Sequence, residues 1–111
     1  MIAINVATDF TRFPSGRYAR NGSTSGEGFR KKCLEEPLLR GEQVVVDLDG
    51  TVGYGSSFLE EAFGGLVRSL NLSSEVVLHR IALKSADPSL EDEIRQYILD
   101  AGKAQAKASA I

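Results

Sequence analysis

The apolar residues fall into short runs separated by polar, glycine-bearing stretches, and the period of each run points to an element. Ile2, Ile4 and Val6 alternate with Ala3 and Asn5, the period of a strand with one buried face. Phe13-Pro14-Ser15-Gly16 marks a turn, and the polar stretch 17–28 reads as a long loop, or as a weak strand followed by a loop. Thr24 and Glu27 have capping-box spacing ahead of a helix that opens around Phe29. Pro37, which lacks an N–H and clashes with the preceding turn, is expected to kink or break that helix, and Gly41 ends the segment. Residues 44–49 (VVVDLD) form a continuous apolar run closing in acids. A strand apolar on both faces belongs at the centre of a sheet, covered by helices.

Ser57 and Glu60 form a second capping pair, with Ser57 as the expected N-cap. The stripe Phe58, Leu59, Ala62, Phe63, Leu66, Val67 and Leu70 then continues at helical spacing. Gly64-Gly65 interrupts it at a cost of about 1 kcal/mol per glycine, so some group is expected to pack closely against that turn. Residues 76–83 read as a third strand, with the lone His79 a sheet residue in it. Asp87 and Pro88 supply an N-cap and a favoured first helical residue, and Leu90, Ile94, Tyr97, Ile98 and Ala101 form the last buried stripe. Gly102 is expected to stop that helix, leaving one domain over 1–102 and a frayed or disordered tail over 103–111. Alternating strands and helices imply a mostly parallel sheet with right-handed crossovers.

Composition narrows the possible functions. A length of 111 residues with a 42% apolar share suits one domain with its own core. A net charge of −2, with both signs mixed, supplies no basic field for a phosphate backbone, so no nucleic-acid partner is expected. Cys33 is the only cysteine, which leaves no internal disulfide and no zinc-spaced cluster; it reads as a half-buried helix residue. No stretch approaches the roughly 20 apolar residues of a membrane span. The apolar start, residues 1–7, is too short for a secretory signal and runs into Asp9. The expectation is a cytoplasmic protein with no membrane association and no cofactor.

Sites in parallel α/β sheets lie at the C-terminal ends of the strands, where residues 47–57 fall. Asp47-Leu48-Asp49-Gly50-Thr51 after an apolar strand resembles the first motif of haloacid-dehalogenase-type phosphatases. That resemblance implies Asp47 as nucleophile, Asp49 as general acid and base, Thr51 as a phosphate contact and magnesium between acids and phosphate. Lys84 would stand in for the phosphate-binding lysine. A late acidic pair to complete the magnesium site is missing, and the chain after Thr51 is short for that fold. Separately, Arg17 and Arg20 in the glycine-rich stretch 17–28 are candidate phosphate contacts, without a G-K-[ST] ending or a G-x-G-x-x-G after a strand.

A second resemblance covers nearly the whole chain. The strand at 44–49, a short loop, and Tyr54-Gly55-Ser56-Ser57-Phe58-Leu59 opening a helix are similar to STAS domains, those of anti-sigma-factor antagonists and sulphate-transporter tails. More closely, Ser25-Gly-Glu-Gly-Phe-Arg, Asp47-Leu-Asp-Gly and the run from Gly53 to Leu66 resemble a STAS-like family of unknown function, which Phe13-Pro-Ser-Gly-Arg17 also fits. The resemblance implies an α/β STAS-like sandwich with a four-stranded mixed sheet and helices mainly on one face. It also implies a non-enzymatic signalling module docking a protein partner, a histidine-kinase-like ATPase of the anti-sigma serine-kinase kind. The docking residues would be Tyr54, Gly55, Ser56, Ser57, Glu60 and Glu61, on the 53–57 loop and the exposed side of the next helix. In the antagonists a serine at this helix start is phosphorylated, and helix N–H groups favour an added phosphoryl group. Here Gly55 stands where they have aspartate, Phe58 where they have glycine, and Glu60 and Glu61 follow within reach of the same turn.

Overall fold

In the computed structural model, which describes residues 1–109, the strands β1 (Ile2–Asn5), β2 (Val44–Asp47) and β3 (Ile81–Lys84) form one parallel sheet in that order. Asn5, Asp47 and Lys84 share one level of the register, and Ile2, Val44 and Ile81 another. The apolar run does place β2 at the centre. It is covered on one face only: Val44 and Val46 are fully buried, whereas Val45 is half-buried between the exposed Ala3 and Ala82. The helical layer therefore lies over the Ile4–Val46 face.

The expected four-stranded mixed sheet is replaced by three parallel strands. The candidate weak strand is a loop that closes on itself: Ser15 N–H donates to the Thr24 carbonyl, Gly26 N–H to Gly16, and Glu27 N–H to Arg17. Its only regular piece is a 3-10 turn at Ala19–Asn21. Polar and glycine residues here have little apolar surface to bury, so nothing draws them into the sheet.

After β1, the single turn α1 (Val6–Asp9) buries Val6. Helix α2 (26–39) is capped by Ser25, not Thr24: the Ser25 hydroxyl accepts the Gly28 N–H at 3.0 Å. A π turn at Arg30–Leu34, with Glu35 N–H bonded to the Arg30 carbonyl, precedes Pro37, and the helix runs through the proline to Leu39. The wider turn comes where the proline ring and missing N–H would otherwise confront the Cys33 carbonyl. Helix α3 (56–70) likewise contains a π turn, Glu60–Gly64, and ends with Asn71 in the left-handed region at φ 54°.

Residues 76–80, expected in a strand, belong to helix α4 (Ser74–Arg80). Ser73 accepts the Val76 N–H, Glu75 sits in the first turn, and His79 and Arg80 sit in the last, so cap and dipole outweigh the β-branched pair Val76-Val77. His79 is accordingly an exposed helix residue, and Arg80 donates to the Leu38 carbonyl at the end of α2. Helix α5 (Pro88–Ser109) starts where Asp87 accepts the Ser89 N–H and buries Ile94, Ile98 and Ala101. It continues through Gly102, where a side chain would meet the Ser74 Cβ at 2.7 Å. That glycine admits α4 instead of stopping α5. Of the expected tail, 103–109 is helical, and 110–111 lies outside the described residues.

The core centres on the fully buried Phe29, Phe58 and Phe63, with Phe29 5.9 Å from Phe58 and 6.3 Å from Phe63 between ring centroids. Helices α2 and α3 touch backbone to backbone beside it: a Cβ on Gly26 would lie 2.3 Å from the Phe58 carbonyl oxygen. Neither helix can retreat without opening the aromatic cluster. Gly26→Ala should therefore cost at least the 1–3 kcal/mol of an overpacked core, against about 0.5–2 kcal/mol for loss of the cap in Ser25→Ala. Urea melts of the two variants check the order; a Gly26→Ala protein as stable as wild type would contradict the contact.

Candidate functional site

The β2–α3 connection, residues 48–55, lies at the C-terminal ends of the strands, and the acids there are occupied in shaping it. Asp47 Oδ1 accepts the Asp49 N–H at 3.0 Å, and its other oxygen lies 3.8 Å from Lys84 Nζ. Asp49 Oδ1 accepts the Ala86 N–H at 3.0 Å, tying this loop to the one after β3. The Tyr54 hydroxyl donates to the Leu48 carbonyl at 2.7 Å, and burial pushes its phenol up to about 12. Gly50 and Gly53, at φ 99° and 137°, turn the chain between these anchors. Among the described residues no group of three or more metal-ligating side chains converges on one point. Asp47, Asp49 and Lys84 thus help to shape the loop, each carboxylate giving one oxygen to a backbone N–H.

The N-cap of helix α3 lies two residues earlier than its sequence suggests. Gly55 is the N-cap, in extended conformation, and no side chain caps the helix. Ser57 is therefore not the cap: Ser56 and Ser57 are its first and second residues, both exposed. Beyond them the helix is buried from Phe58 to Val67 apart from the half-buried Glu60, so little of its side faces solvent.

Glu60 and Glu61 do not flank the serines; they fold back over the π turn. Gly64 and Gly65 have no side chains, and the space holds the Glu60 carboxylate, 2.6 Å from the Cβ position of Gly64, and Arg30 Nε, 2.7 Å from that of Gly65. Arg30, buried, donates to Glu61 Oε2 at 3.0 Å, to the Glu61 carbonyl at 3.3 Å, and to Glu35. Arg68 bridges Glu60 at 2.7 Å and Glu61 at 3.3 Å. Arg17 also reaches Glu60, and Glu61 at 3.5 Å, pinning the 15–27 loop onto α3. Arg17 is thereby engaged, while Arg20 lies 4.7 Å over the Tyr18 ring, so the two candidate phosphate contacts do not converge. Cys33 is half-buried in α2, and burial pushes its thiol up.

A family model described as a STAS-like domain of unknown function matches residues 25–91. The chain belongs to that family. The matched segment of this STAS-like chain runs from the Ser25 cap through both π turns to the start of α5, and so contains every member of the ion network except Arg17. None of the curated proteins and none of the solved structures matches it. Among the described residues, no helix is long and apolar enough to cross a membrane.

Reading the sequence missed Arg30 and Arg68 as partners of the glutamates, and Glu35 as a second partner of Arg30. The one signal was the glycine pair, whose expected close neighbours are Arg30 on Gly65 and the Tyr97 carbonyl on Gly64. Burial alone would raise the Glu60 carboxyl, but the bonds from Arg68 and Arg17 outweigh it and hold it below its ordinary value. A carboxyl lowered in the folded state contributes stability above its unfolded value, about 4.3, and loses it as pH falls through the folded one. Stability should therefore decline as pH drops below about 4.3, and Glu60→Gln should flatten that decline. Denaturant midpoints between pH 3 and 6 check this; an unchanged slope in Glu60→Gln would assign the acid sensitivity elsewhere.

Proposed function

We propose that this STAS-like chain is a non-enzymatic regulatory module that docks a protein partner through residues 53–57. The observation that carries the reading is the bare start of α3: Ser56 and Ser57 stand exposed on a helix whose first N–H groups no side chain takes up. The middle of the helix, Phe58 to Val67, is committed to the core apart from Glu60, so the loop and first turn present the contact, with Tyr54 bracing it from beneath. The resemblance to anti-sigma-factor antagonists supplies the partner class, an ATPase of the histidine-kinase-like kind, as an analogy between related folds.

A phosphoryl group added to Ser56 would lie among free N–H groups at the positive end of the helix dipole. The charges of Glu60 and Glu61, answered by Arg17, Arg30 and Arg68, oppose it less than their positions in the sequence imply. Docking would be weakened by that added charge, giving a two-state regulator.

Because Ser57 caps nothing, Ser57→Ala should stay within about 0.5 kcal/mol of wild type in a melt. Ser56→Ala should fold equally well, and Ser56→Asp should reduce affinity for a purified ATPase of that class at least tenfold by calorimetry. Equal affinities for wild type and Ser56→Asp would remove the switch.

A further inference from the structure

The sheet carries apolar residues on the face that no helix covers. Ala3, Val45 and Ala82 are register partners and form one row across β1, β2 and β3. Ala3 and Ala82 are exposed, and Val45 is half-buried between them. A sheet face that meets water alternates to polar residues, whereas parallel strands are ordinarily covered on both faces and apolar on both. The run Val44-Val45-Val46 has that doubly apolar pattern, yet only Val44 and Val46 are fully buried. The middle of the open face thus has the composition of a buried surface without its cover.

The size and charge of the face decide what fits there. Strands about 4.8 Å apart, rising about 3.3 Å per residue, make it roughly 10 Å across and 13 Å along the strands. That is several times smaller than the roughly 800 Å² that each side of a stable dimer buries, and it matches the width of one helix, about 10 Å. The alanines flanking Val45 keep the face low, with room for the large apolar side chains of a visitor. Toward the C-terminal ends of the strands a hollow of about 240 Å³ opens over Ala3 and Val45, rimmed by Asn5, Asp9, Asp47 and Lys84. The rim sets two carboxylates against one ammonium, with Lys84 Nζ 3.8 Å from Asp47. Asp9 accepts the Asn5 N–H and Asp47 the Asp49 N–H, bonds that leave both carboxylates charged. The excess negative charge favours the positive, N-terminal end of a helix dipole. A helix placed that way runs antiparallel to the strands, the direction in which a crossover helix returns along a parallel sheet.

We propose that this open face binds one amphipathic helix of a partner protein, with its apolar stripe on Ala3, Val45 and Ala82 and its N-terminus toward Asp9 and Asp47. About nine helical residues span the length of the face at 1.5 Å each. The site lies on the sheet and is separate from docking through residues 53–57.

The test selects binders on the full chain from two display libraries, one randomising a helix face on a three-helix bundle and one presenting linear twelve-residue peptides. Helix binders should carry Leu, Ile or Phe at spacings of three and four residues, and in NMR titrations they should shift the amides of Ala3, Val45 and Ala82 most. Their affinity should fall at least tenfold in Ala3→Lys and in Ala82→Glu, with thermal melts unchanged because both side chains are exposed. The two substitutions add opposite charges, so a fall in both reports blocked contact. Val45→Thr, of nearly the same shape, should weaken binding through the lost apolar contact. A nitroxide at the N-terminus of the bound helix should broaden the Asn5 and Asp47 amides more than those of Ile2 and Val44. Helix binders that ignore these substitutions, the reverse broadening, or linear peptides that occupy the face in extended form would overturn the proposal. So would a concentration-dependent dimer that Ala82→Glu abolishes, which would give the face to a second copy. Binders that lose affinity only in Ser56→Asp would remove the sheet site and leave docking through residues 53–57 standing.

Discussion

The buried contact of Arg30 with Glu61 is the constraint around which the rest of the chain is arranged. Two ionised groups at 4% and 7% residue exposure are costly to desolvate, so they persist only with good geometry and further partners. Those partners come from the backbone as much as from charge. Both residues sit in π turns, Arg30 also donates to the Glu61 carbonyl, and Gly64 and Gly65 clear the space into which carboxylate and guanidinium fold. Among the described residues no buried side-chain polar atom lacks a partner. Gly65 thus admits Arg30 and Gly64 admits the Glu60 carboxylate, and their cost is recovered in a network that sets the spacing of α2 and α3 over the sheet.

That spacing determines what remains available for function. With α3 buried from Phe58 to Val67 apart from Glu60, and with Glu60 and Glu61 facing the arginines, its exposed positions are the first turn and the Arg68-Ser69 end. The sheet edges are partly closed: the Asn5 N–H is taken by Asp9, and the Ile81 N–H by the Val77 carbonyl at the end of α4. Such plugs discourage another strand from pairing there. The loops after β1 and β2 are stitched together by the bond between Val52 and Arg12 and rest on a frame that holds them in place. The docking surface proposed above would gain its specificity from loops and its order from the layer beneath.

Much of this was legible in the sequence, in proportion to how local the physics is. The central position of β2 follows from its apolar run, and the last helix from Asp87-Pro88 and the Ile94–Ile98 stripe. The STAS-like family was readable from the run between Gly53 and Leu66. What failed was decided by competition between near neighbours. Ser25 took the cap that Thr24 might have had, Gly55 displaced Ser57, and the Ser73 cap turned Val76-Val77 into a helix. The ion network was invisible for a different reason. Arg17 and Arg30 are distant in sequence from Glu60 and Glu61, and only the Gly64-Gly65 pair hinted that something must approach. Exposure of Phe13 and Val52 is likewise a tertiary fact, since nothing in their local pattern separates a displayed apolar residue from a buried one.

The account stands most directly on a double-mutant cycle between Arg30→Met and Glu61→Leu, measured by denaturant unfolding of all four proteins. Each single change removes the buried contact while the surviving charge keeps an outer partner, Arg30 with Glu35 or Glu61 with Arg68 and Arg17, and should cost about 1–3 kcal/mol. The double change replaces the pair by apolar groups of similar volume and should recover most of that loss, so the coupling should exceed about 1.5 kcal/mol. Additive losses, with the double variant weaker than either single one, would show that the pair does not hold α2 against α3 and would contradict the account.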